Sequence, residues 1–145
     1  MKVLAICGSP RKNGNTEYFT KVVLSKLEKE GIETEFISLI GKDISECTGC
    51  YYCVKNHTCC IADDFQDVFE KMISKSAIAD FEKMINADAI VLASPVYHAS
   101  ITAKLKCLLD RAGFTGRWIS NEMAEESAAY NWKGTVFSRK LIAPI

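Results

Sequence analysis

Short apolar segments alternate with longer amphipathic segments along this chain. Residues 2–7 and 88–94 are almost continuously apolar, which is typical of strands buried on both faces of a parallel sheet. Residues 33–39 alternate enough to predict another strand, and either 135–137 or 141–143 could hold a fourth. Each predicted strand is short, as strands of a compact domain usually are.

Two segments carry apolar residues at helical spacing. Between Thr16 and Gly31, with Asn15 or Thr16 as the predicted N-cap and Gly31 as the stop, these are Phe19, Val22, Val23 and Leu27. In the second segment they are Ile101, Leu105, Leu108, Leu109 and Ala112. Strands and helices in alternation predict an α/β fold, a doubly wound parallel sheet with helices on both faces.

A short repeat interrupts this pattern. Phe69–Ile73 recurs twelve residues later as Phe81–Ile85. A helix turns by about 100° per residue, so the two copies would be roughly 120° out of phase on one straight helix. We therefore expect a break between them, near residues 74–76.

Composition narrows the functional class. The 145 residues suit one domain (1–145), and 18 basic residues balance 18 acidic ones. This balance argues against a nucleic-acid partner, which favours a basic surface. No apolar run is long enough to cross a membrane, and the apolar start is too short for a signal peptide. We expect a cytoplasmic protein.

The loop after the first predicted strand reads Gly-Ser-Pro-Arg-Lys-Asn-Gly-Asn-Thr over residues 8–16. Its glycine spacing and lack of the required lysine exclude a Walker A loop. Hydroxyls, an arginine and the N–H groups that open a helix together suit a phosphate monoester. The alternative is an ordinary loop in which Ser9 and Asn15 only cap the helix.

A second candidate loop, residues 94–98, follows the predicted strand 88–94 and reads Ser-Pro-Val-Tyr-His. Ligands of open parallel sheets bind beyond the carboxyl ends of the strands, so the two loops should meet at one crevice. A planar ring could lie there under Tyr97. His98 alone is more simply an exposed or capping residue.

Five of the seven cysteines fall within fourteen residues, in an insertion at about 46–62. The run C-x₂-C-x₂-C-x₅-C is a credible iron–sulfur ligand set. It fits structural zinc less well, because zinc normally uses two separated pairs. Dithiol exchange is another possibility. Spacing alone does not choose between Cys59 and Cys60 as the fourth ligand.

Taken together, the residue 8–16 loop, the cysteine run, Asp63-Asp64, Ser94–Tyr97 and Leu105–Arg111 resemble the iron–sulfur flavoproteins. These belong to the flavodoxin-like, NADPH-dependent FMN reductase superfamily. The resemblance covers residues 1 to about 114 and continues more loosely to the end. The cysteine spacing is its most specific part.

The resemblance implies a flavodoxin-like strand order of 2-1-3-4(-5). It implies that FMN phosphate binds at Ser9, Arg11, Asn13, Gly14, Asn15 and Thr16, and that Pro95, Val96, Tyr97 and His98 hold the flavin ring. It further implies a [4Fe–4S] cluster on Cys47, Cys50, Cys53 and Cys59. The resemblance favours Cys59 over Cys60, because the family's fourth cysteine has the same sequence spacing to an Asp-Asp pair as Cys59 has to Asp63-Asp64.

The resemblance also implies function and assembly. It implies an FMN-dependent oxidoreductase or electron carrier that accepts electrons from a ferredoxin-like donor. It also implies a homodimer or homotetramer. We expect no catalytic nucleophile or general base, because the flavin supplies the chemistry. Asp110-Arg111 is then expected to be a structural ion pair at a helix end or subunit contact. The family pattern has no twelve-residue duplication and continues beyond residue 145, so the chain looks C-terminally incomplete.

Two alternatives to this interpretation differ in class. One is an NAD(P)H-dependent FMN or quinone reductase without a cluster, in which the cysteines are structural or a dithiol pair. The other is a non-catalytic zinc-binding or truncated scaffold protein. Bound flavin, iron and sulfide distinguish the three.

Overall fold

The computed structural model describes residues 1–56, 58–72, 87–123 and 141–144. Its sheet has the order β2-β1-β3-β4 with every neighbouring pair parallel. The strands are β1 (Lys2–Cys7), β2 (Glu33–Ser38), β3 (Ala89–Ala93) and β4 (Leu141–Pro144). This order confirms the predicted parallel α/β sheet. Of the two candidate segments for the fourth strand, 141–143 lies in β4, and 135–137 lies outside the described residues.

Four helices connect and flank the strands in the described residues: α1 (Asn15–Lys29), α2 (Tyr52–Asn56), α3 (Phe65–Met72) and α4 (Ala103–Met123). The N-cap of α1 is Gly14, whose backbone is extended at φ −80° and ψ 170°. The prediction of Asn15 or Thr16 as the cap is therefore wrong, because both already have helical positions. None of the described helices is long and apolar enough to cross a bilayer.

Side chains of β1 alternate between two hydrophobic layers. Leu4 and Ile6 pack toward α3 and α4, in a cluster that includes Phe65 and Leu108. The other face of the sheet is covered by α1, where the cluster consists of Val3, Ala5, Leu24, Ala89 and Val91. Because β1 is buried on both faces, it reads as a continuous apolar run.

The inward face of α1 matches the predicted one only in part. Phe19 is 56% exposed, whereas Thr20 is fully buried beside Leu24. The Thr20 hydroxyl donates to the Thr16 carbonyl at 2.7 Å, so the buried polar group is satisfied inside its own helix. Of the predicted apolar residues, Val22, Val23 and Leu27 are half-buried and Leu27 packs against the cluster, so the prediction is wrong at Phe19 and omits Thr20 and Leu24. The repeat at Phe81–Ile85 and the break expected at residues 74–76 lie outside the described residues.

Candidate functional site

The loops that follow β1 and β3 are joined at the carboxyl edge of the sheet. The Gly8 N–H donates to the Ala93 carbonyl at 2.8 Å, and the buried Thr102 hydroxyl donates to the Gly8 carbonyl at 2.8 Å. The Thr102 N–H donates to Ser94 Oγ at 3.1 Å. The β1 loop (residues 8–16) and the β3 loop (residues 94–102) therefore meet, as the sequence predicted.

Close approach of α4 explains why residue 8 is glycine. A Cβ atom there would lie 2.8 Å from Leu105 Cβ and 2.9 Å from Thr102 Oγ1. Such contacts are shorter than any van der Waals separation, so a side chain would force the loop and the helix apart. The glycine thus lets the first turn of α4 buttress the β1 loop.

The β1 loop is closed by its own polar groups. Ser9 Oγ accepts from the Arg11 N–H at 3.2 Å, and Asn13 has a left-handed φ of 56°. The Asn13 N–H donates to Glu17 Oε2 at 2.9 Å. This amide is therefore already engaged by a carboxylate. A Lys21 ammonium and the Asn13 N–H hold the pKa of Glu17 below its ordinary value.

The opening turn of α1 remains available to an anion. No side chain caps it, and the first N–H groups of any helix lack intrahelical partners. Gly14 brings the chain close to Arg11, since a Cβ at Gly14 would lie 3.3 Å from Arg11 Cβ. The free N–H groups of Asn15 and Thr16 open the helix next to this loop, and helix N–H groups of this kind commonly bind phosphate.

The β3 loop ends in a tight turn. Tyr97 and Ser100 exchange backbone hydrogen bonds of 2.8 and 3.0 Å, and the two residues between them, His98 and Ala99, have φ of 47° and 62°. Val96 is 75% exposed and Tyr97 43% exposed. Apolar and aromatic surface therefore stands uncovered next to the β1 loop, where a planar ring was predicted.

The cysteine loop (residues 46–62) folds around one pocket at the side of α4. The pocket is lined by all five cysteines of the loop, together with Arg111 and Thr115 from α4. Cys53 is buried at α2, while the other four thiols are exposed or half-buried. The four predicted cluster ligands are thus on one pocket, and so is the competing Cys60.

Two of these thiols are in contact. Cys50 Sγ and Cys60 Sγ lie 3.5 Å apart. The Tyr52 N–H, followed by the Cys60 thiol, lowers the pKa of Cys50, whereas burial raises the pKa of Cys53. A lowered pKa favours the thiolate, which is the form that binds metals.

Arg111 lies beside the pocket in a setting that the sequence did not predict. It is 1% exposed, and its guanidinium carbon lies 4.1 Å from the centre of the Phe65 ring. Its Nη2 donates to Cys59 Sγ at 3.2 Å, and its Nη1 donates to Asp63 Oδ2 at 2.5 Å. A fully buried arginine is rare unless paired, and this one is paired across the cysteine loop.

Asp63 completes the pair. Its carboxylate also accepts from the N–H groups of Ser45 and Phe65, at 2.9 and 3.0 Å. Burial alone would raise the pKa of Asp63, but the hydrogen bonds from Arg111 and these amides outweigh burial and lower it. The carboxylate is therefore held ionised beside the buried guanidinium.

The expected pairing of Asp110 with Arg111 is wrong. Asp110 pairs with Lys106 one turn earlier, on the exposed side of α4, and Arg111 turns inward to Asp63. Adjacent residues on a helix point about 100° apart, so neighbours in sequence rarely face each other. Arg111 lies three residues after the fully buried Leu108, and this inward position was the available signal.

Across the described part of the chain, no three His, Cys, Asp or Glu side chains converge closely enough to hold a single metal ion. The five thiols of the cysteine loop instead line one common pocket. The donor chemistry suits an iron–sulfur cluster, because soft thiolates are its usual ligands and the buried Arg111 beside the pocket can offset part of their negative charge. The residues present therefore fit such a cluster.

Comparisons with known proteins agree with the fold and with the motifs. The family model described as NADPH-dependent FMN reductase matches residues 1–145. An iron–sulfur flavoprotein of Methanocaldococcus jannaschii is 42% identical over 112 residues, covering 77% of this chain and 52% of that protein. An iron–sulfur flavoprotein of Archaeoglobus fulgidus is 37% identical over 111 residues, covering 77% and 45%.

A solved structure also resembles this chain. A flavone reductase superposes with a TM-score of 0.65 at 26% identity, covering 99% of this chain and 42% of that protein. The chain spans about half the length of the curated relatives it matches.

Proposed function

This chain belongs to the NADPH-dependent FMN reductase family, and we propose that it binds FMN and a [4Fe–4S] cluster as an electron-transfer flavoprotein. The observation that carries the proposal is that Cys47, Cys50, Cys53 and Cys59 line one pocket. Family membership supports the flavin, and similarity to proteins named iron–sulfur flavoproteins supports the cluster.

The two loops at the carboxyl edge of the sheet are the proposed FMN site. Arg11 and the helix N–H groups of Asn15 and Thr16 would bind the phosphate, with the Ser9 hydroxyl shaping the loop. Because the Asn13 N–H already donates to Glu17, Asn13 would contribute through its side chain or not at all. The exposed Val96 and Tyr97 would cover the flavin ring, with Pro95 and His98 at its edge.

The cysteine pocket is the proposed cluster site. When bound, FMN and the cluster would supply the electron-carrying chemistry. Cys47, Cys50, Cys53 and Cys59 would hold the cluster as thiolates, and Arg111 would compensate part of their charge. We propose a ferredoxin-like electron donor, a homodimer or homotetramer and a cytoplasmic location on the same resemblance.

A stopped-flow experiment under anaerobic conditions tests the electron-transfer role. The reconstituted protein is mixed with chemically reduced ferredoxin or with NADPH, and flavin absorbance is followed. We expect ferredoxin to reduce the flavin in wild type and much more slowly in Cys50→Ala, which should lose iron yet keep FMN. Equal rates in the two proteins would contradict a role for the cluster.

A second candidate function is direct reduction of FMN by NADPH, which the name of the family model favours. On this alternative, NADPH reduces the flavin at the same rate in wild type and Cys50→Ala, and reduced ferredoxin does not react. The same stopped-flow experiment therefore separates the two functions.

A further inference from the structure

Arg111 joins the cysteine loop to α4 through four of its five possible N–H hydrogen bonds. Nη1 donates to the Ser45 carbonyl at 3.2 Å and to Asp63 at 2.5 Å. Nη2 donates to the Ile61 carbonyl at 3.4 Å and to Cys59 Sγ at 3.2 Å. The residues on both sides of the cysteine loop are thus gathered onto one guanidinium.

Building on the proposed function, we propose that Arg111 is a positioning residue of the cluster site with an electrostatic role. Its hydrogen bond orients the Cys59 sulfur, and its charge raises the reduction potential of the cluster held there. Hydrogen bonds to the sulfurs and net charge are two of the protein features that set cluster potentials. A donor to the ligand sulfur stabilises the additional electron of the reduced form.

Burial makes this charge effective. Arg111 is 1% exposed, and a charge excluded from water is screened far less than a surface charge. Asp63, whose side chain is 3% exposed, compensates it from the opposite end of the fork. The electrostatic field at Cys59 is therefore the sum of a near guanidinium and a carboxylate on its far side.

The guanidinium has the shape that this role requires. It reaches Cys59 and Asp63 with different nitrogens while its plane lies against Phe65. Its Nε has no hydrogen-bond partner in the described residues. A lysine at this position would keep the charge, but its compact ammonium does not reproduce a planar fork.

Three variants separate the electrostatic role from simple structural support. Arg111→Gln removes the charge, Arg111→Lys keeps it without the fork, and Asp63→Asn leaves the guanidinium without its carboxylate. Lys106→Gln is the matched control, since it removes one positive charge from the exposed face of the same helix. Each full-length chain is reconstituted anaerobically, analysed for iron and sulfide, and titrated to its cluster midpoint potential by visible absorbance and electron paramagnetic resonance.

The expected shifts have opposite signs. At a given solution potential, Arg111→Gln should lower the ratio of reduced to oxidised cluster about tenfold, a shift of about 59 mV for one electron. Arg111→Lys should shift it less in the same direction. Asp63→Asn should raise the ratio, and Lys106→Gln should leave it unchanged.

Loss of structure alone would not give opposite shifts for Arg111→Gln and Asp63→Asn. If the midpoint potential of Arg111→Gln equals that of the wild type, this inference is overturned and the proposed function stands. The same holds if Arg111→Gln and Asp63→Asn shift the potential in the same direction. A wild-type protein that takes up no iron and sulfide would overturn the proposed function and this inference with it. If Arg111→Gln does not fold, Arg111→Lys and Asp63→Asn still carry the test.

Discussion

The two candidate sites of this chain are held in place by different kinds of interaction. At the sheet edge, the β1 and β3 loops are joined by backbone groups, one hydroxyl and the absence of a side chain at Gly8. At the cysteine loop, a buried ion pair between Arg111 and Asp63 makes the connection. The first arrangement leaves side chains free for a ligand, whereas the second places charge beside the ligand pocket.

The two connections should therefore be disrupted by different kinds of substitution. A close-packed backbone junction fails when volume is added, and salt or pH affects it little. A buried ion pair fails when one partner is neutralised, because the other is left as an uncompensated charge. Neutralising a carboxylate at the cysteine loop and adding volume at the sheet edge therefore test the comparison.

The largest expected effect is on the ion pair. Asp63→Asn should lower the free energy of unfolding by about 3–5 kcal/mol, the usual cost of removing one partner of a buried pair. Urea unfolding of the metal-free protein measures this change. A loss below about 1 kcal/mol, the range of surface pairs, would show that the pair does not secure the cysteine loop.

The backbone junction should respond to added volume. Gly8→Ala should lower the free energy of unfolding by about 1–3 kcal/mol through overpacking, because its Cβ would meet Leu105 and Thr102. Gly113→Ala is the matched control: no described atom lies within 4 Å of the new Cβ, and alanine favours helix by about 0.8–1.0 kcal/mol. FMN titration should show weaker binding only for Gly8→Ala. Similar stability in both variants would refute the close-approach argument.

Acid should act on the cysteine loop. The pKa of Asp63 is lowered in the folded protein. The ionised carboxylate therefore contributes its full share to the free energy of unfolding above the unfolded pKa of about 3.9. That contribution is lost as pH falls through the lower pKa of the folded state. Urea unfolding between pH 7 and pH 3 should show a steeper loss for wild type than for Asp63→Asn. Glu17 and Glu35, whose pKa values are also lowered, contribute equally to both proteins. Parallel curves would contradict this role for Asp63.

The smallest effect concerns the exposed pair on the same helix. Asp110→Asn removes the partner of Lys106, and we expect the free energy of unfolding to change by no more than about 0.5 kcal/mol. The urea comparison with Asp63→Asn then contrasts an exposed with a buried carboxylate. A loss as large as that of Asp63→Asn would contradict the distinction between an exposed and a buried carboxylate.

Regular elements were the predictable part of this fold. The strands near residues 2–7 and 88–94 were predictable because central strands of a parallel sheet are apolar on both faces, and the edge strand near 33–39 was predictable from its alternation. Joining the β1 and β3 loops followed from the geometry of parallel sheets. The inward face of α1 was predicted only in part. Hydrophobic periodicity does not register the buried Thr20, whose hydroxyl donates to a carbonyl of its own helix.

For the candidate sites, the sequence indicated residue types and spacing, but not the supporting contacts. The spacing of the cysteines predicts a soft-metal site, and that prediction remains to be tested. The pairing of Arg111 with Asp63 joins residues 48 positions apart, and local pattern carries no information at that range. The engagement of the Asn13 amide by Glu17 likewise depends on a left-handed backbone turn that composition alone does not reveal.

The central claim is that the cysteine pocket and the sheet-edge crevice hold two redox groups in one chain. Chemical analysis of anaerobically purified and reconstituted protein tests it most directly, with iron, acid-labile sulfide, zinc and FMN measured on the same sample. We predict about four iron, about four sulfide and about one FMN per chain, with zinc absent. FMN without iron would contradict the cluster, and a colourless protein carrying zinc would contradict both groups.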